Sequence, residues 1–131
     1  MGGHGCVRFA ETHPAEFASV APVIGLLDYP RDPGQSYPIR TEVFGDDPAV
    51  WRQFNPIEHA EKLRGMSILL VTGDGAFDRT MNEHFSRRLT DLGIPHRQKT
   101  LRGTHSLDVV RESLPLVIEH TREAFRAAVT R

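Results

Sequence analysis

Two short and almost uninterrupted apolar runs constrain the fold of this chain more than any other feature. They occupy residues 17–25 and 67–73. A strand with one face in water alternates polar and apolar residues, whereas a strand covered on both faces is apolar almost throughout, which is typical of parallel sheets. Both runs are far too short to span a bilayer. They therefore predict two buried strands of a parallel sheet.

The first half of the chain carries two helical patterns beside these runs. Apolar residues from Gly2 to about Thr12 suit a short helix that Pro14 ends. Residues 51–63 repeat apolar positions at spacings of three, so we expect a helical segment that breaks near Pro56. Between them lies an irregular excursion over about residues 26–56, rich in proline at Pro30, Pro33, Pro38 and Pro48.

The second half carries two more helices and a polar strand. Thr80 and Glu83 have the spacing of a capping box, which predicts that Thr80 caps the helix following the second apolar run. A strand is expected at residues 96–101, and a last helix from Leu107 to about Val129 in spite of Pro115. The order of elements predicts an α/β fold in which a mostly parallel sheet has helices on both faces. We interpret residues 1–131 as one such segment.

Composition limits the classes of function. Sixteen basic and 17 acidic residues give a formal net charge of -1, so we expect neither nucleic acid nor a membrane as a partner. Cys6, the single cysteine, is expected to be a small buried hydrophobe. The spacing of histidines and cysteine does not suit a metal site, and we predict no metal. Six histidines are expected at the surface: His4, His13, His59, His84, His96 and His120.

Asp78 and His105 are the candidates for chemistry. Each follows a predicted strand, and ligands of open α/β sheets bind at the carboxyl ends of the strands. A histidine that accepts a proton from serine needs an acid partner to fix its tautomer and stabilise the imidazolium. Alone, Asp78 suits a turn or helix start, and His105 suits a helix start. Their joint position favours an acid–base pair.

The first residues, Met1 to Gly5, resemble the part of a nucleophile elbow that follows the serine. In the pattern G-x-S-x-G a serine stands on a sharp strand-to-helix turn, and Met1 and Gly2 would be its last two positions. Glycines at Gly2, Gly3 and Gly5 would tolerate the turn and the close packing of the helix against the sheet. The alternative is a glycine-rich start without function.

The chain resembles the esterase family of α/β-hydrolases that includes esterase D and the feruloyl and mycolyl-transfer esterases. The resemblance implies a partial α/β-hydrolase fold, the C-terminal portion of the sheet, over nearly all of the chain. Four stretches carry it: Met1-Gly2-Gly3-His4-Gly5; Thr72-Gly73-Asp74-Gly75-Ala76-Phe77-Asp78; Gly103-Thr104-His105-Ser106; and Phe44-Gly45-Asp46-Asp47-Pro48 with Trp51 and Asn55-Pro56.

By this resemblance Asp78 is the triad acid and His105 the general base, with Asp74 as the alternative acid nearer the strand end. Met1 would give one backbone N–H of the oxyanion hole. The resemblance implies a serine directly before Met1 in a longer natural polypeptide. Within the chain, neither Ser36 nor Ser106 stands in a convincing elbow.

Two functions follow as hypotheses. In the first, the chain is the C-terminal part of a serine esterase that acts on small-molecule carboxylic esters or thioesters without a cofactor. In the second, it is a non-catalytic α/β module that forms a homodimer or joins an upstream half. The strand near Val20 would then pair through an exposed sheet edge.

Overall fold

The computed structural model describes residues 2–28 and 47–130, which fold around a small parallel sheet. Its helices and strands follow one another in the predicted order: α1 Gly2–Thr12, a 3-10 turn Pro14–Glu16, β1 Ser19–Val20, α2 Pro48–Phe54, a 3-10 helix Pro56–Leu63, β2 Ser67–Gly73, α3 Arg79–Asp91, β3 Arg97–Leu101 and α4 Leu107–Val129. The predicted break near Pro56 is confirmed. Most of the expected excursion, residues 29–46, lies outside the described part of the chain.

The three strands are parallel and lie in the order β1-β2-β3. Val20 stands opposite Ile68, and the last pair between β2 and β3 joins Gly73 to Leu101. The predicted α/β architecture with a parallel sheet is therefore confirmed. The register also brings the carboxyl ends of β2 and β3 to the same level.

The apolar residues in the middle of β2 are buried on both faces of the sheet. Ile68 and Leu70 point to one face, where they join a buried cluster with α1 and α3 that includes Phe85. Leu69 and Val71 point to the other face and pack in a second cluster with Val109 of α4, among others. Burial of each such side chain stabilises the fold by roughly 1.5–3 kcal/mol.

The strand predicted over residues 17–25 is wrong in length. Only Ser19–Val20 pairs continuously with β2, and Val23 forms an isolated bridge to Val71. Pro22 has no N–H to donate to a ladder, and Ile24 adopts the left-handed region with φ 45°. The segment follows β2 through separate hydrogen bonds, such as that from Ile24 N to Val71 O at 2.7 Å.

The capping box predicted for α3 is also wrong. The helix begins at Arg79, with Asp78 in the N-cap position, so Thr80 lies inside the helix. Glu83 pairs with Arg79 instead, at 2.8 Å between Oε1 and Nε. Asp78 makes no cap hydrogen bond with its side chain, because its carboxylate is engaged elsewhere.

Two of the histidines expected at the surface are buried. His4 of α1 contacts the carbonyl oxygen of Phe54 through Nε2 at 3.1 Å, which joins α1 to α2. His120 of α4 accepts a hydrogen bond from Arg97 at Nδ1 and donates from Nε2 to Ser67 O. Burial lowers the pKa of both imidazoles. Both rings serve to join elements of the fold.

Cys6 of α1 is partly buried and packs against the core cluster that includes Phe85. Burial raises the pKa of its thiol to about 11, so the reactive thiolate is disfavoured. Across residues 2–28 and 47–130, no three His, Cys, Asp or Glu side chains converge as they would around a metal ion. Within the same ranges, no helix has the length and apolar character needed to cross a bilayer.

Candidate active site

The candidate site lies where β2 and β3 end. The turn that leads from β2 to α3 carries Asp78, and the turn that leads from β3 to α4 carries His105. Because the two strands are neighbours in register, both turns leave the sheet at the same edge. The structure thus brings together two residues that are 27 positions apart in the sequence.

His105 and Asp78 form a hydrogen-bonded pair. His105 Nδ1 donates to Asp78 Oδ1 at 2.8 Å. The carboxylate is fully buried, whereas the imidazole side chain is 27% exposed. An acceptor at Nδ1 places the proton of the neutral ring there and leaves Nε2 with its lone pair, the form in which histidine can accept a proton.

A second set of contacts holds the carboxylate from behind. Asp78 Oδ2 accepts hydrogen bonds from Thr72 Oγ1 at 2.9 Å and from Asn82 Nδ2 at 3.0 Å. With His105, three donors therefore surround a carboxylate that solvent cannot reach. These contacts fix the orientation of the carboxylate relative to the imidazole.

Sequence reasoning missed Thr72 and Asn82, although both left a signal. Thr72 is a hydroxyl in an otherwise apolar strand, and a buried hydroxyl needs a partner. Asn82 follows Asp78 by four positions at the start of a helix, a spacing that places both on one face.

Phe77 was also missed. Its ring stacks on that of His105, with centroids 4.6 Å apart and planes inclined by 22°. Stacking on one face of the imidazole restricts rotation of the ring while its edges stay open to other contacts.

Asp74, the alternative acid, makes a different contact. Its Oδ1 accepts from the backbone N–H of Gly103 at 2.9 Å, and its own N–H donates to Leu101 O at 2.8 Å. Asp74 therefore joins the two turns at their base. The geometry pairs His105 with Asp78.

The start of α1 packs closely beside this site. A Cβ added at Gly3 would lie 2.5 Å from Val23 O and 2.7 Å from the Cα of Gly25, so only glycine fits. Met1, the predicted oxyanion-hole residue, lies outside the described residues, as does Ser36. Ser106 precedes α4 without a side-chain cap hydrogen bond.

Several solved structures share this fold. A ferulic acid esterase superposes with a TM-score of 0.74 over 93% of this chain and 48% of its own, at 19% sequence identity. FphF, a fluorophosphonate-binding serine hydrolase from Staphylococcus aureus, gives 0.73 over 90% and 49%, at 20% identity. The S-formylglutathione hydrolase FrmB from Staphylococcus aureus gives 0.63 over 95% and 47%, at 18% identity.

These likenesses establish the fold. The chain has part of an α/β-hydrolase fold, as the resemblance implied, and it spans about half the length of these three proteins. No protein-family model matches the sequence. No curated protein matches it either.

Proposed function

We propose that this chain supplies the acid and the base of a serine esterase of the α/β-hydrolase type. The observation that carries the proposal is the hydrogen bond between His105 Nδ1 and a buried, triply hydrogen-bonded Asp78. An imidazole fixed in this tautomer, beside the edge of a parallel sheet, is suited to general-base chemistry. The solved structures of like fold include esterases, which supports the same class of reaction.

The reaction would proceed in two acyl-transfer steps. Nε2 of His105 takes the proton of a serine hydroxyl while the serine oxygen bonds to the carbonyl carbon of the substrate. The imidazolium then gives this proton to the departing alcohol or thiol, leaving an acyl-serine. In the second step His105 takes a proton from water while the water oxygen bonds to the acyl carbon. The imidazolium then returns this proton to the serine oxygen, and the carboxylic acid leaves. The Asp78 carboxylate holds the ring in place and stabilises the imidazolium.

The substrate class follows from this chemistry as part of the proposal. A carboxylic ester or thioester presents the carbonyl that such a serine attacks, and no cofactor is needed. The serine is proposed to precede Met1, whose backbone N–H would stabilise the oxyanion. One such donor typically contributes about 3–4 kcal/mol to the transition state.

A fluorophosphonate probe applied to the natural polypeptide tests the proposal. This reagent phosphonylates a serine that a histidine activates, and peptide mass analysis locates the label. We expect the label on a serine directly before Met1 and its loss in His105→Ala. The surface variant His13→Ala is the control and should label normally. Labelling that is absent, or that persists in His105→Ala, would contradict the proposal.

A second candidate function is assembly with another polypeptide, and α4 is the observation that favours it. Five exposed apolar residues recur on this helix at spacings of seven and four, within about 60° of its circumference. They are Leu107, Leu114, Ile118, Phe125 and Val129. An exposed apolar stripe of this kind is typical of an interaction surface.

The partner would be a second copy of the chain or an upstream half of the same fold. β1 lies at the edge of the sheet, as this hypothesis required, but its ladder has only two residues and gives few hydrogen bonds. The stripe on α4 would therefore supply most of the contact. Sedimentation of the purified chain should show association that Ile118→Glu abolishes and the neighbouring Glu119→Gln preserves. A monomer at all concentrations would exclude self-association.

A further inference from the structure

Asn82 occupies an unusual environment for a buried amide. The residue is fully buried one turn into α3. Its Nδ2 lies 3.0 Å from Asp78 Oδ2, 2.9 Å from Asp78 O and 2.9 Å from Gly25 O. Its Oδ1 has no hydrogen-bond partner within residues 2–28 and 47–130.

The contacts of Asn82 are made by its amide nitrogen, while its oxygen is unpaired among the described residues. Leaving a buried acceptor unsatisfied destabilises the fold, a penalty that an apolar side chain of the same shape avoids. Rotating the amide by half a turn would place its oxygen against three other oxygens, which excludes the flipped orientation. The site thus tolerates an unpaired oxygen while the nitrogen donates to Asp78 and Gly25.

These two acceptors belong to different parts of the site. Asp78 carries the contact to His105. Gly25 belongs to the segment on which the first turn of α1 rests, because the close approach at Gly3 is made to Val23 and Gly25. One amide nitrogen therefore bridges the acid turn and the support of α1.

We propose that Asn82 is a positioning residue whose amide aims the Asp78 carboxylate at His105 and registers the acid turn against the segment that supports α1. The inference rests on the proposed function only in taking Asp78 and His105 as an acid–base pair. Asn82 acts through Asp78, since its amide contacts the carboxylate and not the imidazole.

Measuring the tautomer of His105 distinguishes a positioning role of Asn82 from a role in the stability of the fold alone. In the whole chain labelled with ¹⁵N at histidine, NMR distinguishes a ring protonated at Nδ1 from one protonated at Nε2. We expect His105 to be protonated at Nδ1 in the unaltered chain and to lose that preference in Asn82→Leu, which keeps the size of the side chain and removes the donor.

Phe85→Leu is the matched control. Phe85 is fully buried one turn further along the same helix and packs in the core cluster instead of against Asp78. The control should lower the thermal unfolding temperature and leave the tautomer of His105 unchanged. Should Asn82→Leu also leave the tautomer unchanged, the positioning role would be overturned.

A second test, a pH titration followed by NMR, uses the unaltered chain and so does not depend on whether Asn82→Leu folds. Because the amide of Asn82 donates to the carboxylate that pairs with His105, its side-chain NH₂ resonances should shift with the same midpoint as the imidazole. Resonances that stay constant through that titration would overturn the inference. If instead the unaltered His105 shows no preference for Nδ1, the Asp78–His105 pair and the proposed function fail, independently of Asn82.

Discussion

Gly73 is the residue at which a single added methyl group should disturb both the fold and the candidate site. A Cβ at this position would lie 2.3 Å from Gly103 O and 2.9 Å from Gly103 C. Contacts between carbon and a carbonyl oxygen are usually about 3.3 Å or longer, so the turn after β3 must retreat by about 1 Å. Gly103 cannot simply rotate away, because Asp74 Oδ1 holds its N–H.

The expected magnitude follows from that displacement. Overpacking of this kind costs about 1–3 kcal/mol. For a chain of this size, about 3–5 °C of thermal unfolding temperature corresponds to each kcal/mol, so Gly73→Ala should unfold about 3–15 °C lower. The same retreat carries His105 away from Asp78, whose 2.8 Å contact would then exceed hydrogen-bond distance.

Gly75→Ala is the matched control in the same turn. Its added Cβ would lie 3.5 Å from Gly103 O, an ordinary van der Waals contact. We expect this variant to change stability by less than about 1 kcal/mol and to keep His105 protonated at Nδ1. Circular dichroism measures unfolding, and ¹⁵N NMR measures the tautomer. Equal unfolding temperatures and tautomers for the two variants would refute the steric reasoning.

Three further outcomes are expected. Thr72→Val removes a hydrogen bond from the buried Asp78 carboxylate and should weaken the preference of His105 for protonation at Nδ1 in NMR. Thr100→Val, opposite Thr72 on exposed β3, should leave that preference unchanged, and Thr72→Ser should keep it. Burial raises the pKa of Glu11 to about 8, so the folded state binds the extra proton and stability falls as pH rises from about 4.5 to 8. Glu11→Gln should flatten that fall in thermal melts, and an unchanged profile would contradict it. Burial and Arg97 lower the pKa of His120 below its ordinary 6.5, so its contribution to stability is complete above pH 6.5 and declines below it. His120→Gln should reduce the acid-side slope by up to about 1.4 kcal/mol per pH unit, and an equal slope in both proteins would count against this assignment.

Part of the candidate site could be predicted from the sequence. Asp78 and His105 were identifiable because each follows a strand, and parallel neighbours must end at the same edge of the sheet. Asp74 satisfied the same criterion, and only the path of the turn shows that it contacts Gly103 instead. The catalytic roles of Asp78 and His105 stay predictions, which the labelling experiment tests.

The errors have identifiable physical causes. The apolar run at residues 17–25 looked like one long strand, yet Pro22 and the left-handed Ile24 interrupt its ladder. Composition shows burial, whereas pairing depends on backbone N–H groups that a proline lacks. His4 and His120 were expected in solvent because a histidine's burial depends on which carbonyl oxygen the fold brings to it.

The parallel α/β architecture can be read from the order of residues, because β2 is apolar on two faces and each face requires its own layer of helices. The sequence also places His105 and an acid, either Asp74 or Asp78, at adjoining strand ends. The groups that surround the acid and the histidine become visible only in the folded chain: the hydroxyl of Thr72, the amide of Asn82 and the ring of Phe77. Such contacts depend on side-chain directions at the crossing of strand, turn and helix, and these directions are fixed when the layers pack together.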